Sequence, residues 1–387
     1  MYFSIFEIFL LSGIGLFFLL QVLYFFCYLW KPVRYFNLIR KGEISIGTAT
    51  PPVSVIICAQ NESENLNRFL PCILEQDYPQ YEVIVVNEGS TDESEDVLCR
   101  LGAKYKHLYH TYIPGNVKLS KKKLAITVGI KAAKYDILLF TNADCCPVSG
   151  NWIRCMARHF DGETAIVTGY GAMPTRKGFV GKSILFDTLI VGLRAFSLAL
   201  MNKPYTAKGA NMAYRKDLFL KGKGFQPYLY LQDGEDDLFV NTEATATNTR
   251  IEMSPESITV RDFCNFKTWT EMKIRQLTTR NYYRLGPQLL WNVESFTRFA
   301  FWAFAGTILA FTALTPQWII SAVAMFFLVL SRWLLFGLVI NKAAKILQQN
   351  EKFYWSIPLL EITRPFLNVY FHINHYFRKK SDYTWRM

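Results

Sequence analysis

The sequence predicts an α/β domain with a doubly wound sheet, placed between membrane-spanning helices. Short apolar runs alternate with amphipathic segments in the middle of the chain, and longer uncharged runs lie near both ends. The 387 residues are 51% hydrophobic and 16% aromatic, but only 19% are charged. This composition excludes a disordered chain, a collagen, a coiled coil and a small disulfide-stabilised protein.

The apolar runs in the middle of the chain have the length and continuity of buried parallel strands. We predict strands at residues 53–59, 82–86 and 136–141, and helices at residues 64–75, 91–101 and 121–134. Such alternation predicts a sheet with helices on both faces and a ligand beyond the carboxyl ends of the strands. The sequence has neither a glycine-rich dinucleotide fingerprint after the first strand nor a P-loop, which excludes those two nucleotide-binding classes.

Polar residues follow these strands directly. They are Gln60-Asn61-Glu62, Asn87-Glu88 and Asn142-Ala143-Asp144. Acidic loops without a glycine cradle suggest that a metal neutralises a bound phosphate, and an aspartate at a strand end suits Mg2+ or Mn2+.

The long apolar runs predict an integral membrane protein. Residues 8–28 are long enough to cross a bilayer, and the runs 299–314 and 318–340 are separated by a turn that allows only a hairpin. The basic residues after Trp30 predict that the rest of the chain is cytoplasmic. We predict six segments in order: an N-terminal transmembrane helix (1–30), a basic linker (31–50), a catalytic domain (51–284), an interfacial connector (285–298), a transmembrane hairpin (299–340) and an interfacial amphipathic tail (341–387). The tail contains basic residues such as Lys379 and Lys380.

The formal charge of +12 is expected to attract an anionic membrane surface. No nucleic-acid-binding module is recognisable, so nucleic acid is not an expected partner. Arg332 lies within the last apolar run and is expected to extend its guanidinium toward the membrane surface. Pairing with a lipid headgroup and a role in a functional site are the alternatives.

Five sequence blocks in a fixed order resemble glycosyltransferase family 2, whose members have the GT-A fold. The blocks are VSVIICAQNE, VIVVNEGSTDES, KKKLAITVGIKAAKYDILLFTNAD, KGANMAYRK and GEDDLF, and the resemblance covers residues 51–284. The membrane layout is similar to that of the enzymes related to ceramide glucosyltransferase. The resemblance implies a nucleotide-sugar donor, most simply a UDP-sugar.

By this resemblance, Glu62, Asn87 and Glu88 match the positions that hold the uracil and ribose, where Asp-Asp is the usual pair in place of Asn87-Glu88. A role for Glu62 as a helix-start acid remains an alternative. Lys122 matches the basic residue near the diphosphate, while its neighbours Lys121 and Lys123 could simply be solvated.

The resemblance also implies a metal ligand and a sugar-binding loop. Asp144 matches the metal-coordinating aspartate, and Asn142 replaces the first aspartate of that motif, which could weaken metal affinity. Gly209 and Asn211 match a loop beside the donor sugar, with a plain turn as the alternative.

The catalytic base implied by the resemblance is Asp236, with Asp237 as its rival because the register can slip by one. Residues 272–276 lie where related enzymes have a Q-x-x-R-W motif, with Met272 in place of the glutamine and Gln276 in place of the tryptophan. Arg275 matches the arginine of that motif and would offset charge on the departing diphosphate. We expect Asp144 and Asp236 to converge around one cleft near the inner leaflet. The apolar segment 183–201 would then be buried or lie at the bilayer edge, because a crossing would separate these two aspartates.

The expected function is an inverting, metal-dependent transfer of a sugar from UDP-hexose to a hydroxyl on a membrane lipid or lipid-linked glycan. The retained acidic pair favours a hydroxyl acceptor over an already ionised polyprenyl phosphate. Two alternatives remain open: a processive polysaccharide synthase, and an inactive membrane scaffold that binds nucleotide-sugars.

Overall fold

The computed structural model describes residues 4–114, 120–174, 177–262, 264–347 and 351–378. The helices are α1 (Ile5–Tyr24), α2 (Lys31–Arg40), α3 (Ser63–Leu74), α4 (Ser94–Lys104), α5 (Lys121–Ala132), α6 (Trp152–Ala157), α7 (Gly178–Leu200), α8 (Lys216–Lys221), α9 (Asp237–Glu243), α10 (Phe266–Arg280), α11 (Leu285–Leu314), α12 (Ile319–Ile346) and α13 (Ile357–Phe377). The strands are β1 (Val53–Ala59), β2 (Tyr81–Asn87), β3 (Leu108–Tyr112), β4 (Ile137–Asn142), β5 (Cys145–Pro147), β6 (Ile166–Thr168), β7 (Gly171–Ala172), β8 (Met212–Arg215), β9 (Thr249–Ile251) and β10 (Thr259–Arg261).

The central sheet has seven strands in the order β3-β2-β1-β4-β8-β6-β9, and a smaller sheet has the order β5-β10-β7. The first four strands of the central sheet are parallel, whereas β8 runs antiparallel to both β4 and β6. In this register Asn87 pairs with Ala59 and Asn142 pairs with Cys58, so the carboxyl ends of β2, β1 and β4 meet at one edge. The predicted α/β class with a doubly wound mixed sheet is confirmed.

Helices cover both faces of the sheet. Successive side chains of a strand point to opposite faces, so the apolar residues of the central strands need a covering layer on each face. On one face Val55 and Ile57 pack with apolar residues of α3, α4 and α6. On the other face Ile56 packs with α5, α8 and α9. The central strands are therefore buried on both sides, which explains their continuous apolar sequences.

Four helical segments among the described residues are long and apolar enough to cross a membrane: Ile5–Arg40, Gly178–Leu200, Leu285–Leu314 and Pro316–Ile346. Within Gly178–Leu200, 61% of the most apolar 18-residue stretch is buried, compared with 22–33% of the corresponding stretch in each of the other three segments. Its Leu189 and Leu193 pack in one cluster with Phe25 near the N-terminus and Val339 of α12. This cluster joins the membrane helices to the α/β domain through α7.

The prediction for Arg332 is wrong. Its side chain is 2% exposed and donates two hydrogen bonds to the Glu361 carboxylate, at 2.6 and 2.8 Å. A third hydrogen bond, of 3.1 Å, goes to Gln21 of α1. A buried guanidinium is stable when a carboxylate and further acceptors satisfy it, and here they join α12, α13 and α1.

Helix α13 has one apolar exposed face and one face against the α/β domain. Phe366 is 71% exposed and Phe377 is 78% exposed, whereas Phe371 is 3% exposed and packs on Trp269 of α10. This amphipathic pattern is typical of a helix lying in the membrane interface. Lys379 and Lys380 of the predicted basic tail lie outside the described residues.

Candidate active site

A cavity of about 240 Å³, the strand-end cavity, lies at the edge of the sheet where the parallel strands end. Six of the predicted site residues line it: Lys122, Asn142, Gly209, Asp236, Asp237 and Arg275. The roles of these residues remain predictions, but their convergence from five separate chain segments places them around one ligand-sized space.

Asp236 is the N-cap of α9, and both of its carboxylate oxygens are held by backbone N–H groups. Gly209 donates to one oxygen at 2.8 Å and Asp237 to the other at 2.7 Å. Each oxygen keeps a second lone pair, and the side chain is partly exposed. Asp236 is thus a fixed carboxylate able to accept a proton from a group inside the cavity.

Asp237 is enclosed more fully than Asp236. It is 3% exposed, and its carboxylate accepts hydrogen bonds from Thr279 at 2.6 Å and from Tyr283 at 2.5 Å. Burial, reinforced by the neighbouring Asp236, raises the pKa of Asp237 to about 6. The geometry therefore favours Asp236 as the base, while Asp237 connects α9 to α10.

The loop that leads to this acidic pair is held by two features. Gly234 has a φ of +108°, a conformation that L side chains rarely adopt. The buried amine of Lys123 donates to the carbonyls of Tyr228, Leu231 and Asp233, at 2.6–2.8 Å. Burial lowers the pKa of Lys123 to about 8.

The interpretation of Lys123 as solvated is therefore wrong. A signal was present in the sequence, because residue 123 shares a helix face with the buried Ile126 and Ile130.

Lys122 reaches the strand-end cavity and forms a 2.7 Å ion pair with Glu235. Burial disfavours its charge, but the carboxylates of Glu235 and Asp236 outweigh that effect and raise the pKa of the amine. The second oxygen of Glu235 is buried and has no hydrogen-bond partner among the described residues. Lys122 thus stays cationic beside the proposed base.

Asp144 does not line the strand-end cavity itself. It forms a 3.0 Å ion pair with Arg261 of β10, which does line the cavity and which sequence reasoning missed. The other oxygen of Asp144 accepts a 3.3 Å hydrogen bond from the thiol of Cys145. Arg261 comes from a strand more than a hundred residues later in the chain, and no local pattern marks it.

The predicted nucleotide-binding residues lie beside the strand-end cavity rather than in its lining. Glu62 accepts a 2.5 Å hydrogen bond from Asn65, and Asn87 donates to Glu95 at 2.9 Å. Burial raises the pKa of Glu88, against the opposing effect of Lys122. Glu88, directly after β2, therefore interacts electrostatically with Lys122, which lines the cavity.

Asn211 is misassigned as a sugar-reading residue. It is fully buried, its amide donates to the carbonyls of Tyr170 and Ser257, and its oxygen accepts from Trp152. All of its polar atoms are used to hold strand ends together. Gly209 of the same block does reach the strand-end cavity.

Arg275 lies at the exposed side of the strand-end cavity. Its side chain is 63% exposed and is 3.9 Å from the Asp233 carboxylate. The neighbouring Met272 and Gln276, which replace the usual residues of the motif, also line the cavity. Arg275 is therefore accessible to an anion that enters the cavity.

Comparison with known proteins finds a family similarity over the first part of the α/β domain. Residues 54–221, from β1 to the end of α8, match the family model "Glycosyl transferase family 2". The first part of the α/β domain is therefore similar to family 2 glycosyltransferases. Four of the five sequence blocks overlap the matched residues, whereas GEDDLF, at residues 234–239, follows them.

Curated relatives are similar over part of their length. Glycosyltransferase AglE of Haloferax volcanii is 35% identical over 103 residues, which are 26% of this chain and 33% of that protein. Poly-beta-1,6-N-acetyl-D-glucosamine synthase of Staphylococcus aureus (strain COL) is 24% identical over 193 residues, 49% of this chain and 45% of the synthase. The chain spans less than half the length of these relatives. Similarity to ceramide glucosyltransferase stays a prediction.

Solved structures are similar at lower identity. The mannosyltransferase PcManGT of Pyrobaculum calidifontis, in complex with GDP-Man and Mn2+, has a TM-score of 0.49 and 16% identity over 87% of this chain and 99% of that one. TarS of S. aureus (residues 1–349), in complex with UDP-GlcNAc, has a TM-score of 0.41 and 15% identity over 81% and 91%. The choice of ligand for this chain therefore rests on its own residues.

Proposed function

We propose that this protein is an inverting glycosyltransferase that moves a sugar from a UDP-hexose to a hydroxyl group on a membrane lipid or lipid-linked glycan. The observation that carries the proposal is the fixed, partly exposed carboxylate of Asp236 in a cavity lined by Lys122 and Arg275. The apolar face of α13 and the basic linker suggest that this cavity works at the cytoplasmic membrane surface.

In the proposed reaction the acceptor oxygen attacks the anomeric carbon as the bond from that carbon to the donor phosphate breaks. The hydroxyl proton passes to Asp236, and UDP leaves with the bonding electron pair. Lys122 and Arg275 offset the charge that develops on the diphosphate. A single displacement of this kind inverts the anomeric configuration.

The residues fit a divalent ion, Mg2+ or Mn2+, next to the diphosphate. Among the described residues, one carboxylate oxygen of Asp144 has no cationic partner, and Asn142, two residues earlier, lines the strand-end cavity and carries an amide oxygen. When bound there, the ion would supply positive charge to the donor phosphates. Asn142 adds no charge and Arg261 already neutralises Asp144, so we expect weak metal binding.

The proposal is tested with the purified full-length chain in detergent, a panel of radiolabelled UDP-hexoses, and extracted membrane lipids with Mn2+. We expect label to enter the lipid fraction with the unsubstituted chain and not with Asp236→Asn. An unlabelled lipid fraction across the whole panel would contradict the proposal. Metal-dependent UDP binding without turnover would support the scaffold alternative.

A second candidate function is processive assembly of a polysaccharide. The similarity to poly-beta-1,6-N-acetyl-D-glucosamine synthases favours it. The size of the labelled product separates the two candidates: a single added sugar supports lipid glycosylation, and a ladder of products supports polymer synthesis.

A further inference from the structure

A second cavity, of about 170 Å³, lies beside the strand-end cavity and shares part of its wall. We call it the cationic cavity. Helices α7, α10, α11 and α13 surround it, and the shared wall includes Asp187, Lys208, Lys273 and Gln276. A molecule held in the cationic cavity could therefore extend into the space that contains Asp236.

The cationic cavity has a large surplus of positive charge. The cationic side chains that line it are Arg194, Lys208, Lys273, Arg280 and Arg364, and its only lining carboxylate among the described residues is Asp187. Behind this lining, Glu294 pairs with Arg194 at 2.8 Å and with Arg298 at 3.3 Å. Asp237, which lines the neighbouring strand-end cavity, interacts electrostatically with Lys208. The cationic side chains of the lining still outnumber these carboxylates, and a bound anion would offset the surplus.

Two arginines of the cationic cavity are poorly satisfied. Arg364 has a buried Nε atom with no hydrogen-bond partner among the described residues, and it reaches Asp187 only at 3.9 Å. Burial and the nearby Arg194 lower the pKa of Arg364 to about 10. Arg280 stacks on Trp291 and donates to Asn292 at 3.4 Å, with no carboxylate partner in the described part of the chain.

The position of α13 places the cationic cavity at the membrane surface. Arg364, Asn368 and Phe371 are on the helix face that lines the cavity. Phe366 and Val369, on the opposite face, are 71% and 56% exposed. A lipid whose chain lies along the apolar face therefore has its polar group next to these arginines.

We propose that the cationic cavity binds the phosphate or diphosphate group of the acceptor lipid, so that the acceptor is a phosphate-bearing lipid and not a neutral one. Guanidinium groups bind phosphate oxygens through paired hydrogen bonds, which matches the arginine-rich lining. A sugar attached to that phosphate would cross the shared wall and present its hydroxyl to Asp236. The phosphate itself does not react. This inference rests on the proposed function.

The first test measures binding without catalysis. Radiolabelled dioctanoyl phosphatidic acid is added to the full-length protein in a neutral detergent, with dioctanoylglycerol, inorganic phosphate and UDP as unlabelled competitors. We expect binding that only unlabelled phosphatidic acid displaces. Equal displacement by inorganic phosphate would assign the cationic cavity to free phosphate, and displacement by UDP would assign it to the donor; either result overturns the proposal.

Charge-removal variants locate this binding. We expect Arg280→Gln and Arg364→Gln each to weaken phosphatidic acid binding by about tenfold or more, with partial recovery in Arg364→Lys. The matched control is Lys267→Gln, which removes a charge from the exposed side of the same helix as Arg280. Equal weakening by Lys267→Gln would show general surface electrostatics and overturn the proposal.

The second test uses the transfer reaction. The labelled lipid product should be retained on an anion-exchange resin because it carries phosphate, and a neutral labelled product would overturn the proposal. Slow hydrolysis of UDP-hexose by water, measured without a lipid acceptor, distinguishes failure of the cationic-cavity proposal from failure of the proposed function. If hydrolysis occurs and depends on Asp236 while phosphatidic acid does not bind, the inference fails and the proposed function stands; if neither hydrolysis nor transfer occurs, the proposed function fails.

Discussion

The strand-end cavity and the cationic cavity share a wall but differ in their charge balance. The strand-end cavity is lined by five cationic and five acidic side chains, and most of its cations are paired, as in Lys122 with Glu235. Among the described residues, the cationic cavity is lined by five cationic side chains and by one carboxylate, that of Asp187. An anion that enters the strand-end cavity must therefore break ion pairs or bring a cation with it. An anion that enters the cationic cavity needs no accompanying cation.

Under the two proposals above, this difference separates two ligands. A diphosphate accompanied by Mg2+ or Mn2+ suits the strand-end cavity, and a lipid phosphate suits the cationic cavity. The predictions below test the two halves of this comparison.

The largest expected effect is the loss of the base. Asp236→Asn should lower the transfer rate by about 10²–10⁴-fold, because the amide cannot take the acceptor proton. Donor affinity, measured by UDP binding, should change little. Asp237→Asn is the matched comparison, and a larger loss of kcat in that variant would make Asp237 the base.

Arg275→Gln should lower kcat by about tenfold to a hundredfold, with a smaller change in KM. The guanidinium is expected to act on the departing diphosphate more than on the bound donor. Steady-state kinetics with a saturating lipid extract measures both constants. A rise in KM with an unchanged kcat would show that Arg275 contributes only to donor binding.

Asn142→Asp should lower the Mn2+ concentration that half-saturates UDP binding by about tenfold, since it adds a second carboxylate next to Asp144. The control is Asn67→Asp, which adds the same charge at an exposed position of α3. An unchanged or higher Mn2+ requirement in Asn142→Asp would contradict a metal site at this strand end.

The smallest expected effect is a pH dependence of stability. The pKa of Asp237 is about 6 in the folded chain and about 3.9 in an unfolded one. Between about pH 3.9 and pH 6 the Asp237 carboxyl group therefore binds a proton more strongly in the folded state than in the unfolded state. This contribution to stability is present below pH 4 and is lost as the pH rises through 6, by at most about 3 kcal/mol.

Asp237→Asn removes that loss. The thermal unfolding midpoint of Asp237→Asn, relative to the unsubstituted chain in detergent, should therefore rise by a few degrees between pH 4.5 and pH 7.5. A constant difference between the two proteins across this range would show that Asp237 does not titrate there.

The sequence predicted the features that depend on local pattern. The apolar runs at β1, β2 and β4 reflect burial on both sheet faces, and the polar residues after them mark the sheet edge. The long apolar runs match α1, α11 and α12, because crossing a bilayer depends mainly on length and apolarity.

The features that the sequence did not predict depend on distant partners. Arg332 is buried because Glu361 and Gln21 meet it, and Arg261 reaches Asp144 from another sheet. Asn211 has the position expected of a sugar-binding residue, but three remote groups occupy its amide. The charge surplus of the cationic cavity arises from four helices, none of which is unusual in sequence on its own.

The most direct measurement is the binding of UDP and of dioctanoyl phosphatidic acid to the same protein preparation, with Mn2+ and then with EDTA. The account predicts that EDTA abolishes UDP binding and leaves phosphatidic acid binding intact. Loss of both, or survival of UDP binding alone, would contradict the division between a charge-balanced cavity for the donor and a cationic cavity for the acceptor lipid.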